Sequence, residues 1–138
     1  MIKDDCIFCK LANGVIPTHT AYEDEDFRVF MDTAPAAKGH ALIVPKQHMP
    51  NAIEADEKTL GKIMILAAKV AGAVKGYTGC DGVNILQNNG EAAGQTVFHL
   101  HMHVIPRYEN DEVNFSYVQG SPSGEELEDA AVSIGKLL

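Results

Sequence analysis

The chain has 138 residues, 46% of them hydrophobic and 22% charged, and its 19 acidic against 11 basic side chains leave a formal net charge of −8. That length supports one hydrophobic core without disulfide staples and excludes two full domains, so residues 1–138 are expected to form a single domain. Lys and Arg are scattered singly along an acidic chain, which excludes a nucleic-acid groove and an anionic membrane surface. A small anionic ligand gripped by neutral donors stays open.

The N-terminus reaches Cys6 and Cys9 too soon to hold a secretory hydrophobic region, and no segment approaches the ~20 apolar residues of a membrane span. Three cysteines, two of them spaced Cys6-x-x-Cys9, fit a reducing compartment, the cytoplasm by default. They point to a metal or redox role rather than a disulfide framework. Cys6 to Ala12 reads as a short helix stopped at Asn13-Gly14. Thr20 to Glu23 and Phe27 to Met31 read as a hairpin across the acidic turn Asp24-Glu25-Asp26, and His40 to Pro45 as a third strand ended by proline. From Ala55 to Lys75, Leu60, Ile63, Met64, Ala67, Ala71 and Val74 recur at helical spacing, with Gly76 as the expected stop. Ile65, Leu66 and Val70 widen that apolar face, as a contact with a second layer or a second subunit would require. Gly82 to Asn88 and Thr96 to Ile105 are two more strands, joined by the glycine-rich link Asn89 to Gly94. A last helix is expected from Ser123, where Ser123-x-x-Glu126 forms a capping box ahead of Leu127, Ala130, Ala131 and Ile134. The fold class expected is α+β: a mainly antiparallel sheet of five strands, one long helix and short terminal helices.

The densest chemical signal is Phe98-His99-Leu100-His101-Met102-His103-Val104. On a strand, alternate residues share a face, so the three imidazoles are expected to line one surface at intervals of roughly 6.8 Å. Phe98, Leu100, Met102 and Val104 then fill the core behind them. Such a strip could ligate a metal, or one imidazole could attack an electrophile while the others position and protonate. Rings spaced along a straight strand converge poorly on one ion. Just upstream, Asn88, Asn89, Gln95 and Thr96 flank Gly90 and Gly94, a loop of neutral donors suited to phosphate oxygens.

The string His99-Leu100-His101-Met102-His103-Val104-Ile105 resembles the His-φ-His-φ-His-φ-φ signature of the histidine triad family of nucleotide hydrolases and transferases. Cys6-Ile7-Phe8-Cys9-Lys10, Phe30-Met31-Asp32, Gly39-His40-Ala41-Leu42-Ile43-Val44-Pro45-Lys46-Gln47-His48, and Asn88-Asn89-Gly90 through Gln95-Thr96-Val97 match its other blocks in order and spacing. The resemblance covers about residues 6–107; residues 110–138 match nothing that can be carried over.

The resemblance implies a nucleotidyl-imidazole intermediate on His101, with His103 and His40 completing the catalytic network. It implies phosphate contacts from Asn88, Gln95, Thr96 and His103, a ribose contact from Asp32, and nucleoside walls at Phe8, Phe30 and Ile43. The substrate it implies is a purine nucleotide, as a phosphoramidate or a dinucleoside polyphosphate, and the assembly is a homodimer. In zinc-carrying members of the family the ligands match Cys6, Cys9, His48 and His99, which makes the zinc structural. Cys80 is expected to be a buried or loop thiol and His19 a surface residue.

Three other readings stay open: a nucleotidylyltransferase, a nucleotide-binding adaptor with vestigial catalysis, and a zinc hydrolase with the three strand histidines as catalytic ligands. Leu100 stands where the longer transferases of the superfamily carry proline, which argues against transfer. Val104-Ile105-Pro106-Arg107-Tyr108 departs from the Gly-Gly ending of the phosphoramidase branch, and this leaves substrate choice open.

Overall fold

The acidic turn at residues 24–26 closes a hairpin because Asp24 Oδ1 accepts the backbone N–H groups of both Asp26 and Phe27 at 2.8 Å. A computed structural model describes residues 2–138, and in it this turn joins β1 (Thr20–Glu23) to β2 (Phe27–Met31). With β3 (Ala41–Pro45), β4 (Gly82–Leu86) and β5 (Met102–Arg107) they form a five-stranded sheet in the order β1-β2-β3-β5-β4. Every neighbouring pair is antiparallel.

The pleat sorts the side chains of β3 between two cores. Ala41 and Ile43 face the long helix α2 (Glu57–Thr78), whose Ile63, Ala67 and Val74 pack over Phe27, Val29, Leu100 and Val104. Leu42 and Val44 face the other way and cluster with Phe30, Ala12, Phe8 and Leu11, so that α1 (Ile7–Ala12) covers that side. Asp56 starts α2 by accepting from Thr59 N at 2.8 Å.

Several expected boundaries move: α2 starts at Glu57 and not Ala55, β3 at Ala41 and not His40, and β4 ends at Leu86 and not Asn88. Helix α2 runs through Gly76 to Thr78 and stops at Gly79, which takes the left-handed conformation (φ 66°) that glycine adopts without strain. The strand expected from Thr96 pairs in the sheet only from Met102, because Leu100 N donates to Met49 O at 2.6 Å instead of to a neighbouring strand. Residues 96–101 are therefore held by the loop that follows β3. Leu100 is fully buried as expected, whereas Phe98, expected in the core, is 51% exposed. Cys80 is buried, and Met64 and Ile65 stay on the outer surface of α2.

At its far end β5 delivers Arg107, which binds Asp111 through two bonds of 2.8 and 2.9 Å and Asn84 Oδ1 at 2.7 Å. Arg107 also reaches Val113 O at 2.8 Å, tying down the turn after β5. Beyond Val113 every residue is exposed, including α3 (Gly124–Gly135), whose capping Ser123 accepts from Glu126 N at 3.1 Å as the sequence implies. Among the described residues no helix is long and apolar enough to cross a membrane.

Ile63 is fully buried between α2 and the sheet. Truncating it to Ala is expected to lower the free energy of unfolding by about 2–5 kcal/mol in a denaturant titration, and a loss below about 1 kcal/mol would contradict this packing.

Candidate active site and metal centre

The first turn of α1 sets two thiols side by side, with Cys6 as the N-cap accepting from Cys9 N at 3.4 Å. Opposite them stands His99, fully buried, with its Nε2 at 2.8 Å from the carbonyl of Pro45. A carbonyl only accepts, so Nε2 carries the hydrogen and the lone pair of Nδ1 is directed at the thiols. It lies 3.4 Å from Cys6 Sγ and 3.5 Å from Cys9 Sγ, while His48 Nδ1 is 3.5 Å from Cys9 Sγ. All four donor atoms fall within 4.8 Å of one another. Bond lengths of about 2.3 Å to sulfur and 2.0–2.1 Å to nitrogen in a tetrahedron separate ligand N and S by roughly 3.6 Å, so the donor set fits zinc. Burial pushes the Cys9 thiol up and the His99 imidazole down to about 4. A neutral imidazole is the form a metal needs, and a bound cation would offset the penalty on the thiolate.

Two residues on, the backbone governs a second imidazole. His101 Nδ1 is 2.6 Å from the carbonyl of His99, so Nδ1 carries the hydrogen and Nε2 keeps its lone pair. His101 is 7% exposed, and the edge of the Phe8 ring packs on it at a centroid distance of 4.8 Å. His40 takes the opposite tautomer. Its Nδ1 accepts from Ala36 N at 3.0 Å, so Nε2 carries the hydrogen and donates to His103 Nδ1 at 2.9 Å. That leaves His103 with an N–H at Nε2. Asp32 Oδ2 stands 3.6 Å from His40 Nε2, and Asp32 Oδ1 is held by Ala34 N at 2.8 Å. Burial lowers His40 and His101 below the ordinary imidazole value. His103 falls to about 4, with its neighbouring imidazoles adding to the effect of burial. Neutral rings at pH 7 are what this chain of donors and acceptors requires.

These groups open onto a cavity of about 430 Å³ lined by Phe8, Leu11, Phe30, Asp32, Leu42 and His101, with Thr96 and His103 also in its wall. Phe8 and Phe30 meet edge to face at 6.4 Å across it. Three of the expected site residues, Ile43, Gln95 and Asn88, are not among the residues that line the cavity. Ile43 belongs to the core under α2, since the pleat turns Leu42 and not Ile43 toward the cavity. Gln95, 2% exposed, uses its amide on the backbone, accepting from Gly90 N at 2.8 Å and donating to Pro50 O at 2.7 Å and Val97 O at 3.1 Å. It braces the loop instead of reaching the cavity. Asn88 is packed beside Gly94 outside the cavity wall, and Asn89 Oδ1 accepts from Ala52 N at 2.8 Å.

Leu11 was missed, although its position three residues after Phe8 on α1 places both on one face. His19 is exposed, as expected, yet sits on the cavity rim with Thr18, in a segment that carries no motif. A neutral imidazole with a free lone pair, next to an N–H donor and an apolar slot, can attack an electrophile and steady the negative charge that develops.

Residues 13–110 match the HIT domain family, and the chain belongs to it. The adenosine 5′-monophosphoramidase hnt1 of Schizosaccharomyces pombe is 41% identical over 102 residues, 74% of each chain. The crystal structure of SMU.412c from Streptococcus mutans UA159, 42% identical, superposes with a TM-score of 0.93 over 97% of this chain and 85% of its own. A zinc-bound histidine triad family protein from Mycobacterium smegmatis, 33% identical, superposes with a TM-score of 0.74 over 97% of this chain and 98% of its own.

Metal analysis of the purified protein is expected to find about one zinc per chain. Cys6→Ser should lower that content and the melting temperature together. A zinc-free wild type whose melting temperature ignores both added zinc and chelator would contradict the assignment.

Proposed function

We propose that the protein is a nucleotide hydrolase acting at the α-phosphate of purine phosphoramidates or dinucleoside polyphosphates through a covalent nucleotidyl-His101. The observation that carries this reading is the bond from His101 Nδ1 to the His99 carbonyl, which reserves Nε2 for the cavity that His101 lines. In the first half-reaction the Nε2 lone pair forms a bond to the α-phosphorus. The bond from phosphorus to the amine or polyphosphate breaks, and the leaving group departs with the electron pair and takes up a proton from solvent. Water then attacks the same phosphorus, the P–N bond to His101 breaks, and the nucleoside monophosphate leaves with the imidazole restored.

His103 Nε2–H is placed to donate to a phosphate oxygen, and His40 holds it in that tautomer. Thr96 is the second candidate for a phosphate contact, as the one neutral donor of its loop in the cavity wall that sequence reasoning named. Phe8, Phe30, Leu11 and Leu42 form the apolar slot for a base, and Asp32 can accept from the ribose hydroxyls. The Schizosaccharomyces pombe relative, an adenosine 5′-monophosphoramidase by name, supports an adenosine phosphoramidate as the first substrate to try.

Zinc on Cys6, Cys9, His48 and His99 would tie α1 to the histidine segment and supply fold stability rather than chemistry, since Nε2 of His101 lies outside that donor set. Thiols kept as metal ligands suit a reducing cytoplasm. The exposed Met64 and Ile65 on the outer face of α2 support a homodimer.

His101→Ala is expected to lower turnover of adenosine 5′-phosphoramidate by a factor on the order of 10³ or more while AMP still binds. Intact-mass analysis of the wild type, quenched during turnover in chelator, should show an acid-labile adenylyl adduct. Undiminished turnover in the variant would overturn the mechanism, and AMP binding with no turnover and no adduct in the wild type would favour an adaptor.

A further inference from the structure

Between the two thiols at the start of α1 stands a wall of the nucleotide cavity. The segment Cys6-Ile7-Phe8-Cys9 carries both sulfurs and the Phe8 ring, which packs edge-on against His101 at 4.8 Å and against Phe30 at 6.4 Å. A change at Cys9 therefore reaches the cavity through one peptide bond, with no relay of other groups.

The two sulfurs differ in access. Cys9 is fully buried, whereas Cys6 is half-buried and lines a separate opening of about 350 Å³ with Lys3, Asp5, His48 and Phe98, through which a small solute can enter. Each sulfur accepts a backbone N–H, Cys6 from Cys9 N at 3.4 Å and Cys9 from Lys3 N at 3.3 Å, and such donors favour the thiolate. The sulfurs lie within 4.8 Å of each other. An accessible thiol with a buried second thiol beside it is the arrangement in which an oxidised sulfur is resolved as a disulfide. Cys80, the third cysteine, is buried just after α2 and lies outside this cluster.

We propose that Cys6 is a site of oxidation by peroxide, and that its disulfide with Cys9 dismantles the metal centre, shifts the Phe8 wall and weakens nucleotide binding. The Cys6 thiolate attacks one peroxide oxygen, the O–O bond breaks, and a sulfenic acid and hydroxide form. The Cys9 thiolate then makes the S–S bond and displaces the second oxygen as hydroxide. Two protons from solvent turn both hydroxides into water, and the two electrons that reduce the peroxide come from the sulfurs. A disulfide draws its sulfurs to about 2.0 Å and leaves them no charge to offer a cation, so only His48 and His99 remain of the four donors. Packing of Ala12 and the bond from Asn13 Nδ2 to Lys46 O at 2.9 Å still hold the far end of α1, which confines the change to its first turn. This rests on the zinc and nucleotide readings above and adds to them control of the site by the state of its thiols.

The test takes the full-length protein with its metal and adds hydrogen peroxide in excess. Thiols are counted by alkylation and peptide mass, free zinc by a chromophoric chelator, and AMP affinity by calorimetry. The expected result is a Cys6–Cys9 disulfide, one zinc released per disulfide, Cys80 still alkylated, and an AMP dissociation constant raised several-fold. Thiol reductant with added zinc should reverse all of it, which it could not do for oxidised methionine. The response should persist in Cys80→Ser, and in Cys6→Ser the peroxide-dependent change in AMP affinity should be absent. Zinc released with AMP affinity unchanged, or Cys6 and Cys9 still fully alkylated, would overturn the switch while leaving the metal centre standing. An untreated protein that holds no zinc or binds no AMP would overturn the reading beneath the switch and the switch with it.

Discussion

One residue, His99, faces two ways, and the site depends on it. Its imidazole points at Cys6 and Cys9 while its carbonyl takes the Nδ1 hydrogen of His101 at 2.6 Å. The first bond set gives α1 a fixed seat against the histidine segment. The second decides which ring nitrogen of His101 is free. Tautomers of neutral imidazole differ little in energy on their own, so a backbone acceptor or donor is what selects one. The same device recurs at His99 through Pro45 O and at His40 through Ala36 N, and His40 passes its choice on to His103. His99, His101, His40 and His103 are therefore each held by a main-chain group directly or through one neighbour, and a side-chain substitution elsewhere cannot readily reassign them.

The sheet supplies the rest of the precision. Its pleat sends Ile43 and Val104 under α2 and turns Leu42 and His103 to the side that α1 covers; just ahead of β5, Leu100 packs in the first of these layers and His101 lines the cavity on the other side. Departure of the chain from the sheet before Met102 matters as much. Free of strand pairing, residues 96–101 bend toward the end of β3, whose Pro45 carbonyl orients His99, and toward the loop after it, which carries the ring of His48. A strand straight through from Thr96 would hold the imidazoles along a line, a poor arrangement for building two different sites.

Much of this was legible from local pattern. The hairpin, the long helix, the capping box at Ser123 and the Cys-x-x-Cys turn follow from short-range chemistry, and the structure contains all of them, the helix ending one glycine later than the residues imply. The pairing of Cys6 and Cys9 with His48 and His99 came from family resemblance, because no periodicity links residues so far apart in the chain. Register and partner choice were not legible. Whether Leu42 or Ile43 faces the cavity is a one-residue question that two apolar neighbours on a doubly buried strand leave open. Gln95 looked like a phosphate donor because its amide is chemically suited, but three backbone partners consume it, and those come from loops that sequence spacing does not bring together. Phe98 was assigned by strand alternation to a core that the segment leaves before pairing begins.

The most direct test is the protonation pattern of the imidazole nitrogens, read by 15N NMR on histidine-labelled protein at neutral pH with resonances assigned through single His substitutions. The expected spectrum has His101 protonated at Nδ1 alone and His40 and His103 protonated at Nε2 alone. A spectrum with His101 protonated at Nε2 would contradict the assignment of that nitrogen as the nucleophile.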